Sequence, residues 1–476
     1  MPTRKSNGIE VLPSARRLIG SLRDMGYDFT QAVADLIDNS IEANAHTVWI
    51  NTEFEADDSW ISVADDGLGM TPHELREAMR YGAEREYDLE DLGKFGLGLK
   101  VASFSQCQRL TVASRVGAER ARITAYTWDF AHIQKTNCWE ILPVSIESLP
   151  EAIQGRLQEN RGTVVLWQRL DRILGYKHPY GEVAKKRFAQ MSRELEVHLG
   201  MVFHRFLAGE VRGRKLRIIL NDGNEVRPWD PFCRGEKATI RLKPSRILVT
   251  NDDFSGEVYL QPYILPAEDS FSSQETFKAA SGPAKWNLQQ GFYIYRANRM
   301  IQGGGWCHFR SPDEHTKLAR IALDFSRDLD EAFKLNVPKM RVILPSQIRE
   351  EVEELIGPVV KLARNVYDKG ERGSRPSPAD SAVPPPAIAP PYASPAPGRG
   401  TAGVPDPPGS SGPAPTPSSY SGIGADDELL TFDQWINRVL AAAAPSERLA
   451  LSSIFDRIRA LLAPSNSQDG SKEASS

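Results

Sequence analysis

Three short signals within residues 35–100 constrain this 476-residue chain more than anything else in it. The first is a DxxDN run, Asp35 to Asn39. The second is Asp65-Asp66-Gly67-Leu68-Gly69-Met70, and the third runs from Gly93 through Lys94, Phe95, Gly96, Leu97, Gly98 and Leu99 to Lys100. A glycine-rich run alone is more often a turn than a ligand loop. Three such signals, in this order and this close together, point to a nucleotide site.

The local pattern gives each signal a scaffold. Ala15, Leu18, Ile19 and Leu22 recur at helical spacing, with Gly26 as the expected stop. Thr30 is the expected N-cap of a second helix over Gln31–Ala43, whose apolar face holds Ala32, Val33, Leu36, Ile37 and Ile41. Asp35 and Asn39 lie one turn apart on another face, where a carboxylate and an amide can address one ligand. Alternation over Thr47–Phe54 and Trp60–Ala64, with Asp57 and Asp58 at the turn, predicts a β-hairpin ending directly at Asp65. A carboxylate fixed at a strand end beside Gly67 and Gly69 suits recognition of an exocyclic amine. Thr71 and Pro72 open the next helix. The charged stretch Tyr81–Leu92 is expected to be mobile. Gly93–Lys100 then leads into a helix start, a cradle of backbone N–H groups for phosphates to which Lys100 adds a point charge. Strands over 109–114, 121–128 and 162–168 complete a largely antiparallel sheet under a helix layer, which makes the fold class α+β.

Residues 32–45 (AVADLIDNSIEANA), 63–83 (VADDGLGMTPHELREAMRYGA) and 92–107 (LGKFGLGLKVASFSQC) together resemble the GHKL superfamily of gyrase, heat-shock chaperone, histidine kinase and MutL ATPases, and within it the MORC-like branch and its bacterial relatives. The resemblance covers roughly residues 14–170. It implies a Bergerat-type ATP-binding α/β sandwich that takes ATP and Mg²⁺. Asn39 would then give its amide oxygen to the metal, and Asp65 would accept from the adenine amino group. Gly67, Gly69 and Met70 would line the base. Gly93, Lys94, Phe95, Gly96, Leu97, Gly98 and Lys100 would wrap the phosphates, with Met70–Leu92 as a lid. Thr163, next to Gly162, would support Asp65 through its hydroxyl. Asp35 stands where ATPase members carry glutamate as the general base, one methylene shorter. Aspartate does the same proton transfer if the helix sits closer or a second water intervenes; otherwise turnover is slow. His73 lies inside the ATP-binding unit, unlike the phospho-acceptor of a histidine kinase.

Residues 180–345 read as a second α+β unit after an ATP-binding domain of residues 1–175. A helical run over Ala184–Leu207 carries Lys185, Lys186, Arg187 and Arg193, and strands are expected over Lys215–Leu220 and Ile240–Val249. The stretch from Gly291 to Ile301 resembles the YxxNRLI strand and turn of the MORC and MutL transducer domain, which is ribosomal-protein-like. That resemblance implies a lysine sensing the γ-phosphate, and Lys339 is the best-placed choice. An amphipathic helix follows over residues 346–370. Residues 371–420 then hold 15 of the 33 prolines, so 371–425 is expected to be a disordered linker. Two short helices over 426–463 would dock on a protein partner, a second copy or the body, and 464–476 form a tail.

The balance of the chain excludes several classes. Net charge is −4, so no overall basic field announces nucleic acid. The four cysteines show no CxxC spacing, which predicts reduced thiols and no zinc site. No apolar leader or bilayer-length run is present, and the expected location is the cytoplasm with no membrane contact. The favoured expectation is a Mg-dependent ATPase whose ATP-driven lid closure and homodimerisation clamp DNA, in genome defence or repair. The alternative is a slow or non-hydrolysing ATP switch, or a chaperone-like clamp, acting on a protein partner.

Overall fold

The computed structural model describes residues 13–24, 27–82, 98–117, 122–175, 180–221, 223–251, 254–335 and 342–374. Gly26, the segment 83–97 with Gly93 to Leu97, Lys339 and everything after Ser374 lie outside the described residues.

The first sheet is built from β1 (Thr47–Glu53), β2 (Trp60–Asp65), β3 (Arg109–Arg115), β4 (Thr124–Asp129), β5 (Leu142–Pro143), β6 (Gly162–Gln168), β7 (Arg217–Leu220) and β8 (Asn224–Glu225). Their order is β5-β4-β3-β6-β2-β1-β7-β8. Neighbours run antiparallel except β1 and β7, which are parallel. The helices interleaved with them are α1 (Ala15–Arg23), α2 (Phe29–Glu42), α3 (Pro72–Met79), α4 (Gly98–Phe104), α5 (Phe130–Thr136), α6 (Glu151–Glu159), α7 (Glu182–Val202) and α8 (His204–Leu207).

Period-two alternation sorts the strands' side chains onto two faces. Val48, Ile50, Ile61, Val63, Leu110, Val112, Val165 and Trp167 meet Ile19 of α1, the apolar stripe of α2, Val101 and Phe104 of α4, and Leu195 and Leu199 of α7 in one core. On the other face Ala64, Ala113, Ala125, Val164 and Leu166 pack against Ile153 and Leu157 of α6. The alanines on this side let α6 sit close to the sheet.

Several boundaries differ from the pattern-based expectation. Asp28, not Thr30, is the N-cap of α2; the Thr30 hydroxyl donates instead to the Asp28 carboxylate at 2.6 Å. The helix predicted over Ala184–Leu207 is interrupted at Phe203 (φ −104, ψ 15), and α8 points His204 and Arg205 at the second sheet. The strand expected over Lys215–Leu220 in the second unit pairs with β1 of the first sheet. Its Ile218 and Leu220 are apolar on the side that α7 covers, so they extend the first core.

The second sheet holds β9 (Ile240–Arg241), β10 (Ser245–Thr250), β11 (Ser255–Ile264), β12 (Gly291–Arg296), β13 (Arg299–Gly303) and β14 (Ala319–Phe325), with α9 (Gln274–Ala280) and α10 (Lys285–Gln289) before β12. Its order is β10-β11-β14-β12-β13, and β9 pairs with β11. The strand expected over Ile240–Val249 is split in two, as Pro244, which lacks an N–H, interrupts the ladder. The long α11 (Arg349–Ser374) lays Val352, Ile356, Val359 and Ala363 over one face of this sheet. It runs four residues into the stretch expected to be linker. The other face presents Tyr263, Tyr293, Tyr295 and Met300 with Phe232, and Met201 of α7 packs against them. The two sheets therefore meet through the C-terminal end of α7, α8 and the β12–β13 hairpin. Among the described residues no helix is long and apolar enough to cross a membrane.

The hairpin is fixed inside its own sheet by Arg296, whose Nε and Nη2 donate to Asp330 at 2.7 and 2.9 Å with both side chains buried. Breaking one side of a buried bidentate pair leaves an uncompensated charge. Asp330→Ala is therefore expected to lower stability by about 3–5 kcal/mol, measured by chemical denaturation; a loss below about 1 kcal/mol would show that the pair is not needed.

Candidate nucleotide site

Helix α2 divides the site. From Gln31 to Ile41 every residue is buried except Asn39, which is exposed. An exposed amide on an otherwise covered helix face is available to a ligand. The next residue, Ser40, is buried and donates its hydroxyl to Asp65 Oδ2 at 3.0 Å. Asp65 ends β2, where it is paired in register with Thr163 of β6. Its Oδ1 accepts from the Gly67 N–H at 3.0 Å and the Thr163 N–H at 3.2 Å. An ionised carboxylate offers about four acceptor positions. Three are taken among the described residues, and the one left on Oδ2 can accept from a ligand N–H.

The backbone around Asp65 depends on glycine. Gly162 has φ +137, and a Cβ there would lie 1.9 Å from the Asp65 carbonyl oxygen. Gly69 has φ +70, and its Cβ would meet the Arg115 carbonyl at 2.0 Å. At Gly67 a Cβ would press on Ala43 and on Asp65 Oδ1, both within 2.9 Å. The turn is therefore packed against the end of α2, where the Leu68 N–H donates to the Ala43 carbonyl at 2.9 Å. Asp66 is a structural residue, its Oδ1 accepting from the backbone of His46 and Thr47 at 2.7 and 2.9 Å.

Ser114 joins this network and was not expected from sequence. Its buried hydroxyl accepts from the Met70 N–H at 2.8 Å and donates to the Gly162 carbonyl at 2.9 Å. With its one proton committed, Ser114 receives the Thr163 hydroxyl at 2.9 Å. Thr163 thus touches Asp65 through its backbone N–H, while its hydroxyl braces Ser114. Met70 is half-buried against the first core.

Burial raises the Asp65 carboxyl from 3.8 to about 6, against the pull of its three hydrogen bonds. Lys100 in α4 is also buried, with its ammonium lowered to about 8 by desolvation. It donates to the Ala78 carbonyl at 3.0 Å, and Trp128 Nε1 donates to the Met79 carbonyl at 3.0 Å. Both cap the C-terminal end of α3, which satisfies orphan carbonyls and complements the helix dipole. Gly98 opens α4, and α4 packs on α2. The rest of the predicted phosphate loop, Gly93 to Leu97, lies outside the described residues.

Asp35 sits one turn before Asn39 and is 3% exposed. Its oxygens accept from Tyr27 Oη at 2.9 Å, Gln31 Nε2 at 3.0 Å and Arg299 Nη2 at 3.2 Å. Asp38, equally buried, lies 2.8 Å from Arg299 Nε. Tyr27, Gln31 and Arg299 were not among the residues singled out as a site from sequence, although Arg299 stands within the stretch from Gly291 to Ile301.

The family described as histidine kinase-, DNA gyrase B- and HSP90-like ATPase matches residues 27–163, from the phenol that holds Asp35 to the backbone that holds Asp65. Residues 27–163 are thereby a GHKL-type ATPase domain. The chain is similar to the Caenorhabditis elegans protein "ATPase morc-1", 23% identical over 224 residues, which are 45% of this chain and 25% of that protein. The chain spans about a quarter of the length of this curated relative.

For a GHKL domain with this geometry, the charge on Asp65 sets the pH response. Its folded-state value is raised, so the fold disfavours the ionised form and the proton enters near pH 6. A protonated Asp65 is a poorer acceptor for a ligand amine. ATP affinity is expected to fall as pH drops through about 6, and Asp65→Asn to flatten that dependence while weakening binding at pH 7.5. Titration of a fluorescent ATP analogue at pH 5–8 tests this; a wild-type affinity constant across that range would refute it.

Proposed function

We propose that this chain binds ATP with Mg²⁺ and hydrolyses it, using the state of the nucleotide to set the relation of its two sheets. The observation that supports this best is the arrangement on α2, with Asp65 offering one open acceptor position beside Gly67 and Asn39 exposed one residue before Ser40. That set fits an adenine edge and a metal-bridged phosphate tail. Among the described residues no cluster of His, Cys, Asp or Glu forms a metal cage, and a metal held mainly by phosphates and water needs only one protein oxygen such as that of Asn39. When bound, Mg²⁺ neutralises charge on the phosphates.

In this reading Asp35 is the general base. Water attacks the γ-phosphorus as its proton passes to Asp35. The bond from that phosphorus to the bridging oxygen breaks, and the electron pair leaves on ADP. The second sheet is a transducer, and Lys339 senses the third phosphate. ATP-driven closure of the lid expected over Met70–Leu92 would bring two copies together around DNA. The homodimer and the DNA rest on the resemblance to MORC-like ATPases, and the cytoplasmic setting rests on the sequence expectation above.

A second reading follows from one contact set. Asp35 is buried and already holds at least three donors, so in this conformation it is occupied and shielded from water. A chain in this state binds ATP as a switch and turns it over slowly, with a protein partner reading the closed form.

Asn39→Ala is expected to abolish magnesium-dependent ATP binding, read by isothermal calorimetry with and without chelator. Asp35→Asn should keep binding while lowering turnover about 10²–10⁴-fold, the range of a lost general base. Unchanged turnover in Asp35→Asn would leave only the switch reading.

A further inference from the structure

The contact between Arg299 and Asp35 crosses from the second sheet to the ATP-binding domain. Arg299 begins β13, directly after a two-residue turn in which Ala297 and Asn298 both have positive φ, 47° and 67°. Such a turn matches the strand twist and leaves the arginine at the hairpin tip. On one side Arg296 bolts the hairpin to Asp330. On the other, Arg205 of α8 donates to Asn298 Oδ1 at 3.3 Å and forms a two-pronged pair with Asp324, Nη2 to Oδ2 at 3.0 Å. The Arg205 guanidinium also stacks 3.5 Å from the Tyr295 ring centre, and His204 meets the Tyr295 hydroxyl at 2.8 Å. This interface delivers Arg299 to α2.

Arg299 is 1% exposed and its contact is imperfect. Its Nη1 is buried with no hydrogen-bond partner among the described residues, and its 2.8 Å approach to Asp38 lacks hydrogen-bond alignment. A buried donor left unmade opposes the Coulombic gain of the pair. The contact is thus a poor choice for stability alone, and it falls on the carboxylate read above as the base.

We propose that Arg299 is a positioning residue for ATP hydrolysis: with the β12–β13 hairpin docked, its guanidinium occupies Asp35 and bound ATP stays intact, and hydrolysis proceeds when the hairpin lifts off. The proposal rests on the reading of Asp35 as the base. Withdrawal of Arg299 removes one of the donors on Asp35 Oδ1, which keeps Gln31 Nε2, and the acceptor position it leaves takes the proton of the attacking water. Tyr27 and Gln31, both within the ATP-binding domain, keep the carboxylate oriented after Arg299 leaves. The second sheet therefore controls when the base is available.

The test uses the full chain, steady-state ATP turnover and an independent affinity for a fluorescent ATP analogue. Arg299→Met is expected to raise kcat about tenfold, the factor that one charged hydrogen bond represents, with KM within about twofold. Arg299→Lys, which restores the charge, should return kcat close to wild type. Asp324→Asn loosens the same interface without touching Asp35 and should also raise kcat, which keeps the proposal testable if Arg299→Met does not fold. A kcat in Arg299→Met as low as in Asp35→Asn, or a kcat unchanged in both Arg299→Met and Asp324→Asn, would overturn it. Failure of the underlying reading looks different: Asp35→Asn would then turn over like wild type.

Discussion

Two carboxylates on one buried helix face are the constraint around which the two sheets are organised. Asp35 and Asp38 lie on α2 beneath the β12–β13 hairpin, each 3% exposed or less. Burying unpaired carboxylates costs several kcal/mol apiece. Tyr27 and Gln31 help solvate Asp35, but neither carries charge, and the cation comes from Arg299 of the second sheet. Separation of the sheets would leave these groups to be rehydrated. The contact therefore ties the electrostatics of the ATP-binding domain to the placement of the second sheet.

Asp65 answers a different requirement with the same chemistry. It is partly buried, and its partners are three neutral donors from α2, its own turn and β6. Burial raises its carboxyl to about 6, whereas Asp35 is matched by a guanidinium. Two aspartates from one small region are thus given opposite environments. One is left with an acceptor position for a ligand, and the other is covered.

The sequence made much of this readable. The hairpin ending at Asp65 and the stripe Ala32, Val33, Leu36, Ile37 and Ile41 follow from local periodicity, and both are found in the fold. Thr71 forms the N-cap, in a capping box with Glu74. Gly67, Gly69 and Gly162 are legible because each is forced by close backbone approach. Ser40, Ser114 and Tyr27 were not legible, because a buried hydroxyl is defined by what stands opposite it in space. Arg299 was hidden for the same reason, with 264 residues separating it from Asp35. Lys100 was legible as a candidate phosphate contact, and its ammonium also donates to the Ala78 carbonyl at the end of α3. Pairing across long separations decides such roles, and single-sequence periodicity carries no information about it.

The parallel pairing of β1 with β7 has a consequence for how this protein is made. Residues 47–50 of β1 find their edge partner at residues 217–220, and the core over α2 is completed by Leu195 and Leu199 of α7. A chain emerging from the ribosome has all three nucleotide signals in hand by residue 100, yet its first sheet stays unfinished until β7 has followed. Over that interval the edge of β1 exposes unpaired backbone groups, a surface open to wrong partners. A ligand that needs the finished domain would meet it only after roughly half the chain has been synthesised.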